Sequence, residues 1–169
     1  MSESSPGQPW PDFEPTALLE ALAEHAVDFV VIGGIAAIAH GSARLTQDLD
    51  ISYATNSDNL KALGRALRSL NARLRGVDED VPFIPDEHTL RRSSLLTLDT
   101  RAGPLDLLAE PPGAPAYEEL RKQASRITLG SRPVLIASID DLVAMKLKAG
   151  RPIDLADVEA LDAIRRLSR

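Results

Sequence analysis

Apolar positions in this chain recur with two periods, and the changes from one to the other mark out its elements. From Pro15 to about His25, Leu18, Leu19, Leu22 and Ala26 give one apolar face, which predicts a helix with Pro15 at its first position. Phe29 to Ile32 is a short β-branched run that predicts a strand, stopped by Gly33-Gly34. Ile35 to Ala39 is too apolar for a loop and predicts one or two helical turns, with a second strand from Asp48 to Tyr53. Asn56-Ser57-Asp58 offers N-cap chemistry for a helix from about Asn59 to Leu74. Leu60, Leu63, Leu67, Leu70 and Leu74 fall on one side of that helix, and Lys61, Arg65, Arg68 and Arg75 on the other.

Val77 to Glu87 is acidic and broken by proline, and reads as loop, followed by a helical turn near Leu90 to Ser93. Ser94 to Thr100 and Leu105 to Ala109 predict two strands joined through Arg101-Ala102-Gly103-Pro104, a hairpin. Tyr117 to Gln123 predicts a short helix, and Arg126 to Leu129 with Val134 to Ile136 a second hairpin around Gly130-Ser131. Ser138 caps a helix that carries Leu142, Met145 and Ala149 on one side and ends at Gly150. Pro152 starts the last helix, to about Leu167. The fold class is α/β (α+β): a small mixed β-sheet flanked by helices, with a helical C-terminal end. We expect one domain over residues 13–169, its core sheet at 28–136 and its C-terminal helices at 138–168, after a disordered lead-in over 1–12.

Composition narrows this picture in three respects. The chain of 169 residues is 44% apolar but has no apolar run long enough to span a bilayer, so no membrane partner is expected. Cysteine is absent, which removes disulfides, thiolate metal sites and cysteine nucleophiles, and fits a cytoplasmic setting. The net charge of −6 excludes a general nucleic-acid coat, so any RNA contact has to use a local basic patch.

The chemistry concentrates around Asp48-Leu49-Asp50. Residues two apart on a strand face the same way, so two carboxylates stand side by side in an apolar setting. Both ionise only with a cation between them, and without one their desolvation costs several kcal/mol, on the order of 3. An oxygen-ligand site of the Mg²⁺ type is therefore expected, with Mn²⁺ as an alternative ion. Gly33 and Gly34 next to it have bare backbone N–H groups suited to phosphate. Asp106, one acid in the apolar run Leu105-Asp-Leu-Leu, is the natural third metal ligand, with Asp99 in the preceding strand as its competitor. His40 has no local acid or second histidine beside it and reads as structural.

Gly-Gly at a helix start followed by Asp-x-Asp on the next strand resembles the nucleotidyltransferase superfamily, the polymerase-β-like fold. The block Lys146-Leu-Lys-Ala-Gly-Arg151-Pro-Ile-Asp154-Leu-Ala-Asp157 is similar to the AbiEii-type toxin branch, which includes the MenT group of mycobacterial toxins. The likeness spans about residues 16 to 165. It implies catalytic roles for Asp48, Asp50, Asp106, Lys146 and Asp157, with Asp154 a further candidate from the same motif. It implies donor binding by Gly33, Gly34, Ser42, Arg44 and Lys146, while Thr46 supports the strand.

The resemblance further implies an Mg²⁺-dependent enzyme that transfers a nucleoside monophosphate from an NTP, as the toxin of a bacterial toxin–antitoxin pair. Its expected acceptor is the tRNA 3′ end, which would block translation, and its expected partner is a cognate antitoxin. The basic positions Lys61 to Arg75, with Arg91 and Arg92, are the expected RNA contact. Two alternatives stand beside this reading. One is transfer to a protein or small-molecule hydroxyl, such as an aminoglycoside; the other is a catalytically silent binding protein on the same fold.

Overall fold

Strand β1 (Phe29–Ile32) is buried at all four positions, as its unbroken apolar run requires. The computed structural model describes residues 12–78 and 81–168; apart from Asp12, the expected lead-in lies outside them. Ahead of β1 is α1 (Pro15–Glu24), which buries Leu18, Leu19 and Leu22. After it come α2 (Gly33–Ala39), β2 (Leu49–Tyr53), α3 (Ser57–Ser69), β3 (Arg73–Leu74) and α4 (Glu87–Arg91). The hairpin β4 (Leu95–Thr100) and β5 (Gly103–Leu108) follows, then α5 (Tyr117–Gln123) and a second hairpin, β6 (Ser125–Leu129) and β7 (Arg132–Ile136). Helices α6 (Ile139–Ala149) and α7 (Pro152–Leu167) complete the described chain and pack on each other.

The described strands form one mixed sheet in the order β3-β4-β5-β2-β1-β7-β6. Strands β2 and β5 pair in parallel, as do β1 and β7, while β1 and β2 are antiparallel. Leu49 and Ile51 of β2 and Leu105 and Leu107 of β5 are fully buried between the helices. So are Leu60, Leu63 and Leu67 of α3, each contributing roughly 2 kcal/mol on burial.

One element departs from the sequence expectation. The helix expected to reach Leu74 stops at Ser69, because Asn71 takes a left-handed φ of 52°. Ala72 N–H donates to Leu67 O at 3.0 Å and Asn71 N–H to Arg68 O at 3.1 Å, a Schellman closure. Arg73 and Leu74 then pair with Asp99 and Leu98 as the edge strand β3. Leu74 and Arg75 are thus not helical, and the basic side of α3 loses Arg75. Smaller differences concern bounds: α2 begins at Gly33 itself, and β2 begins at Leu49, leaving Asp48 just ahead of the strand. Likewise α4 begins at Glu87, inside the expected loop, and leaves out Ser93, and β5 begins at Gly103.

Asn59, in the first turns of α3, is buried and ties two segments together. Its Oδ1 accepts from Asp28 N–H at 2.7 Å, and its Nδ2 donates to Asp28 O at 3.0 Å and Ala54 O at 2.7 Å. No described helix is long and apolar enough to cross a membrane.

Candidate active site

The register of the central strands assembles the acids. Asp50 pairs with Asp106 across the parallel β2–β5 ladder, so both side chains leave the sheet on one face. Asp48, two residues before Asp50, joins them. One carboxylate oxygen from each of Asp48, Asp50 and Asp106 lies within 4.8 Å of the other two. Burial first, then the Asp48 and Asp106 carboxylates, push the Asp50 carboxyl up to about 7. Burial also raises Asp106, against the opposing pull of Arg75. Three hard oxygen donors that cannot all ionise alone fit a small divalent cation such as Mg²⁺ or Mn²⁺. Thr46 Oγ1 donates to Asp48 Oδ1 at 3.1 Å, so it orients the acid directly.

The two glycines make room for this face. A Cβ at Gly33 would lie 2.1 Å from Asp50 Oδ2, and Gly33 has a φ of +69° that a side chain would strain. A Cβ at Gly34 would meet Thr46 Oγ1 at 2.8 Å. In this structure, close approach to Asp50 and Thr46 is what requires glycine at these positions.

Helices α6 and α7 bring a second charged group up to the acids. Lys146, with 12% of its side chain exposed, sits 2.9 Å from Asp157 Oδ2 and 3.6 Å from Asp154 Oδ1. It is near enough to Asp50 for its charge to oppose that group's rise. The Arg44 guanidinium donates to the same Asp157 oxygen. Asp154 carries two loads: it caps α7 through Arg151 N–H at 3.2 Å, and it accepts from Arg151 Nε at 2.6 Å. Those bonds from Arg151 hold it below the usual carboxylate range. Ser42 Oγ accepts from Arg44 N–H at 3.3 Å. A cleft of about 530 Å³, lined by Arg44, Thr46, Asp48, Arg75 and Asp99 among others, runs beside Asp48.

Several expected residues fall elsewhere. Asp99 stays outside the three-acid group, because in the β4–β5 register Thr97 sits opposite Asp106 and Asp99 opposite Pro104; its carboxylate accepts instead from Arg75 at 3.1 Å. His40 donates its Nε2–H to Ala137 O at 2.8 Å, a structural bond. The expected RNA face is partly neutralised: Lys61 lies 3.9 Å and Arg91 3.0 Å from Glu87. Arg65, Arg68 and Arg92 remain exposed. Sequence reasoning missed the role of Arg75, whose guanidinium contacts Asp106 at 2.9 Å. The signal was Asn71, the residue after glycine best suited to end a helix, which would have taken Arg75 off α3.

The family model for the nucleotidyl transferase AbiEii toxin of type IV toxin–antitoxin systems matches residues 17–163. The chain belongs to the AbiEii nucleotidyltransferase family. As an AbiEii-type nucleotidyltransferase it uses an NTP donor, and membership in a toxin–antitoxin family implies a cognate antitoxin. A search of curated proteins gives no sequence match. Among solved structures, this AbiEii chain is similar to the lincosamide antibiotic adenylyltransferase LnuA with lincomycin bound. They share 15% identity over 89% of this chain and 95% of that one, with a TM-score of 0.59. It is also similar to ANT(2")-Ia in complex with adenylyl-2"-tobramycin, at 16% identity over 90% and 91% of the two chains and a TM-score of 0.56. At these identities the likeness is one of fold, and it agrees with the mixed sheet and flanking helices described above.

Proposed function

We propose that this nucleotidyltransferase is a Mg²⁺-dependent toxin that transfers a nucleoside monophosphate from an NTP to the 3′ end of tRNA, blocking translation. The observation that carries the metal reading is the convergence of Asp48, Asp50 and Asp106, with oxygens within 4.8 Å. These three residues would hold the ion. When bound, it supplies charge neutralisation for the phosphates of the donor.

The chain's own groups account for the remaining steps. Lys146 and Arg44, both gathered on Asp157, are the cations available to the donor's phosphates, with Gly33 and Gly34 packed against Asp50 and Thr46 and Ser42 bonded to Arg44 N–H. Asp157 keeps the two cations at one place while no donor is bound. The acceptor hydroxyl attacks the α-phosphorus, the bond to pyrophosphate breaks, and the hydroxyl proton passes to a carboxylate of the cluster, for which Asp106 is the candidate. The tRNA acceptor rests on the resemblance of the Lys146-to-Asp157 block, and Arg65, Arg68 and Arg92 are the exposed cations that suit an RNA backbone.

The deciding experiment incubates the purified protein with total bacterial RNA, Mg²⁺ and each α-³²P-labelled NTP in turn, beside an Asp50→Ala control. Label in the tRNA band that vanishes in Asp50→Ala is the expected result. Label on protein, or on an added aminoglycoside or lincosamide, would replace the acceptor and keep the chemistry. No label on any acceptor, together with no NTP binding, would leave a silent member of the fold.

A further inference from the structure

Arg75 is held more firmly than a surface arginine needs to be. Its backbone N–H donates to Thr97 O at 2.9 Å, which fixes the stem beside β4. Its guanidinium donates to Leu98 O at 2.8 Å, Asp99 Oδ1 at 3.1 Å and Asp106 Oδ1 at 2.9 Å. Two of these acceptors belong to β4, and the third belongs to the three-acid group on β5. The side chain is one-third exposed on the wall of the cleft. It reaches this place only because the chain leaves α3 at Asn71 and returns as an edge strand.

We propose that Arg75 is a positioning residue for Asp106, fixing the orientation of that carboxylate and so strengthening the cluster's affinity for a divalent cation. The inference rests on the metal reading above. As a bare charge, Arg75 would oppose a cation nearby. Asp99, on the same guanidinium, offsets part of that opposition. The contribution in favour of the cation is geometric. One oxygen of Asp106 accepts a single bond from Nη2 of a planar fork that is itself held in place, Nε on Asp99 Oδ1 and Nη2 also on Leu98 O, which removes rotational freedom that metal binding would otherwise have to freeze.

Charge and orientation predict opposite results, which makes the inference testable with Mn²⁺ alone. Calorimetric titration of the full chain with Mn²⁺ compares the wild type with Arg75→Lys, Arg75→Gln and Asp50→Asn, each first checked for folding by circular dichroism. Orientation predicts that Arg75→Lys and Arg75→Gln both weaken Mn²⁺ binding about 10-fold, since neither can reproduce the fork. A charge effect would leave Arg75→Lys unchanged and make Arg75→Gln bind more tightly, and either outcome overturns the proposal. Mn²⁺ binding that Asp50→Asn fails to disturb would instead remove the metal reading itself, and the role of Arg75 with it.

Discussion

Replacing Asp50 with asparagine should stabilise the metal-free protein at pH 8 and do so by less than half as much at pH 5. Burial and two neighbouring acids raise Asp50 from 3.8 to about 7, which at about 1.4 kcal/mol per pH unit is about 4 kcal/mol between its protonation states. Three carboxylates share that strain, so removing one charge should recover about half of it, or about 2 kcal/mol. The sign follows from proton uptake. Between the unfolded value near 4 and the folded value near 7, the native state holds the extra proton. The favourable contribution is complete below pH 4 and is lost as pH rises through about 7. The effect is therefore read as the difference between the melting curves of the wild type and Asp50→Asn, in chelator, at each pH. For a chain of this length about 2 kcal/mol corresponds to roughly 4–8 °C in Tm in favour of Asp50→Asn at pH 8. Adding Mg²⁺ should raise the wild-type Tm and close much of the gap. A Tm difference that is the same at pH 5 and pH 8 would refute the reasoning, because it would mean that Asp50 is not strained by its charge.

Three further outcomes are expected. Lys146→Met leaves the buried Asp154 and Asp157 one cation short and should cost about 3 kcal/mol in denaturant melts, with partial recovery in the double variant Lys146→Met/Asp157→Asn. Gly33→Ala forces a Cβ to within 2.1 Å of Asp50 Oδ2 at a positive φ; it should cost about 2 kcal/mol or more and cut transfer activity, read by urea melts and the label assay. Reversing charge at Arg65 and Arg68 should lower labelling of tRNA and leave NTP binding by the same protein unchanged; unaltered labelling would remove this face from the RNA contact.

The local code was largely legible in the sequence. The β-branched run of β1, proline at the starts of α1 and α7, the Ser138 cap and the glycine after α6 all act within a few residues, so a single chain displays them. The alternation that aims Asp48 and Asp50 together is equally local. What only the tertiary structure decided is pairing between distant segments. Register across β2 and β5 selected Asp106 and left Asp99 to Arg75, a choice that depends on strand alignment and not on either strand's own pattern. The end of α3 turned on one left-handed residue whose cost is met by two backbone bonds, and that exit carried Arg75 from a solvated helix side to the wall of the cleft. The meeting of Arg44, Lys146 and Asp157 joins residues 113 positions apart, because charges buried together must find partners wherever the packing brings them.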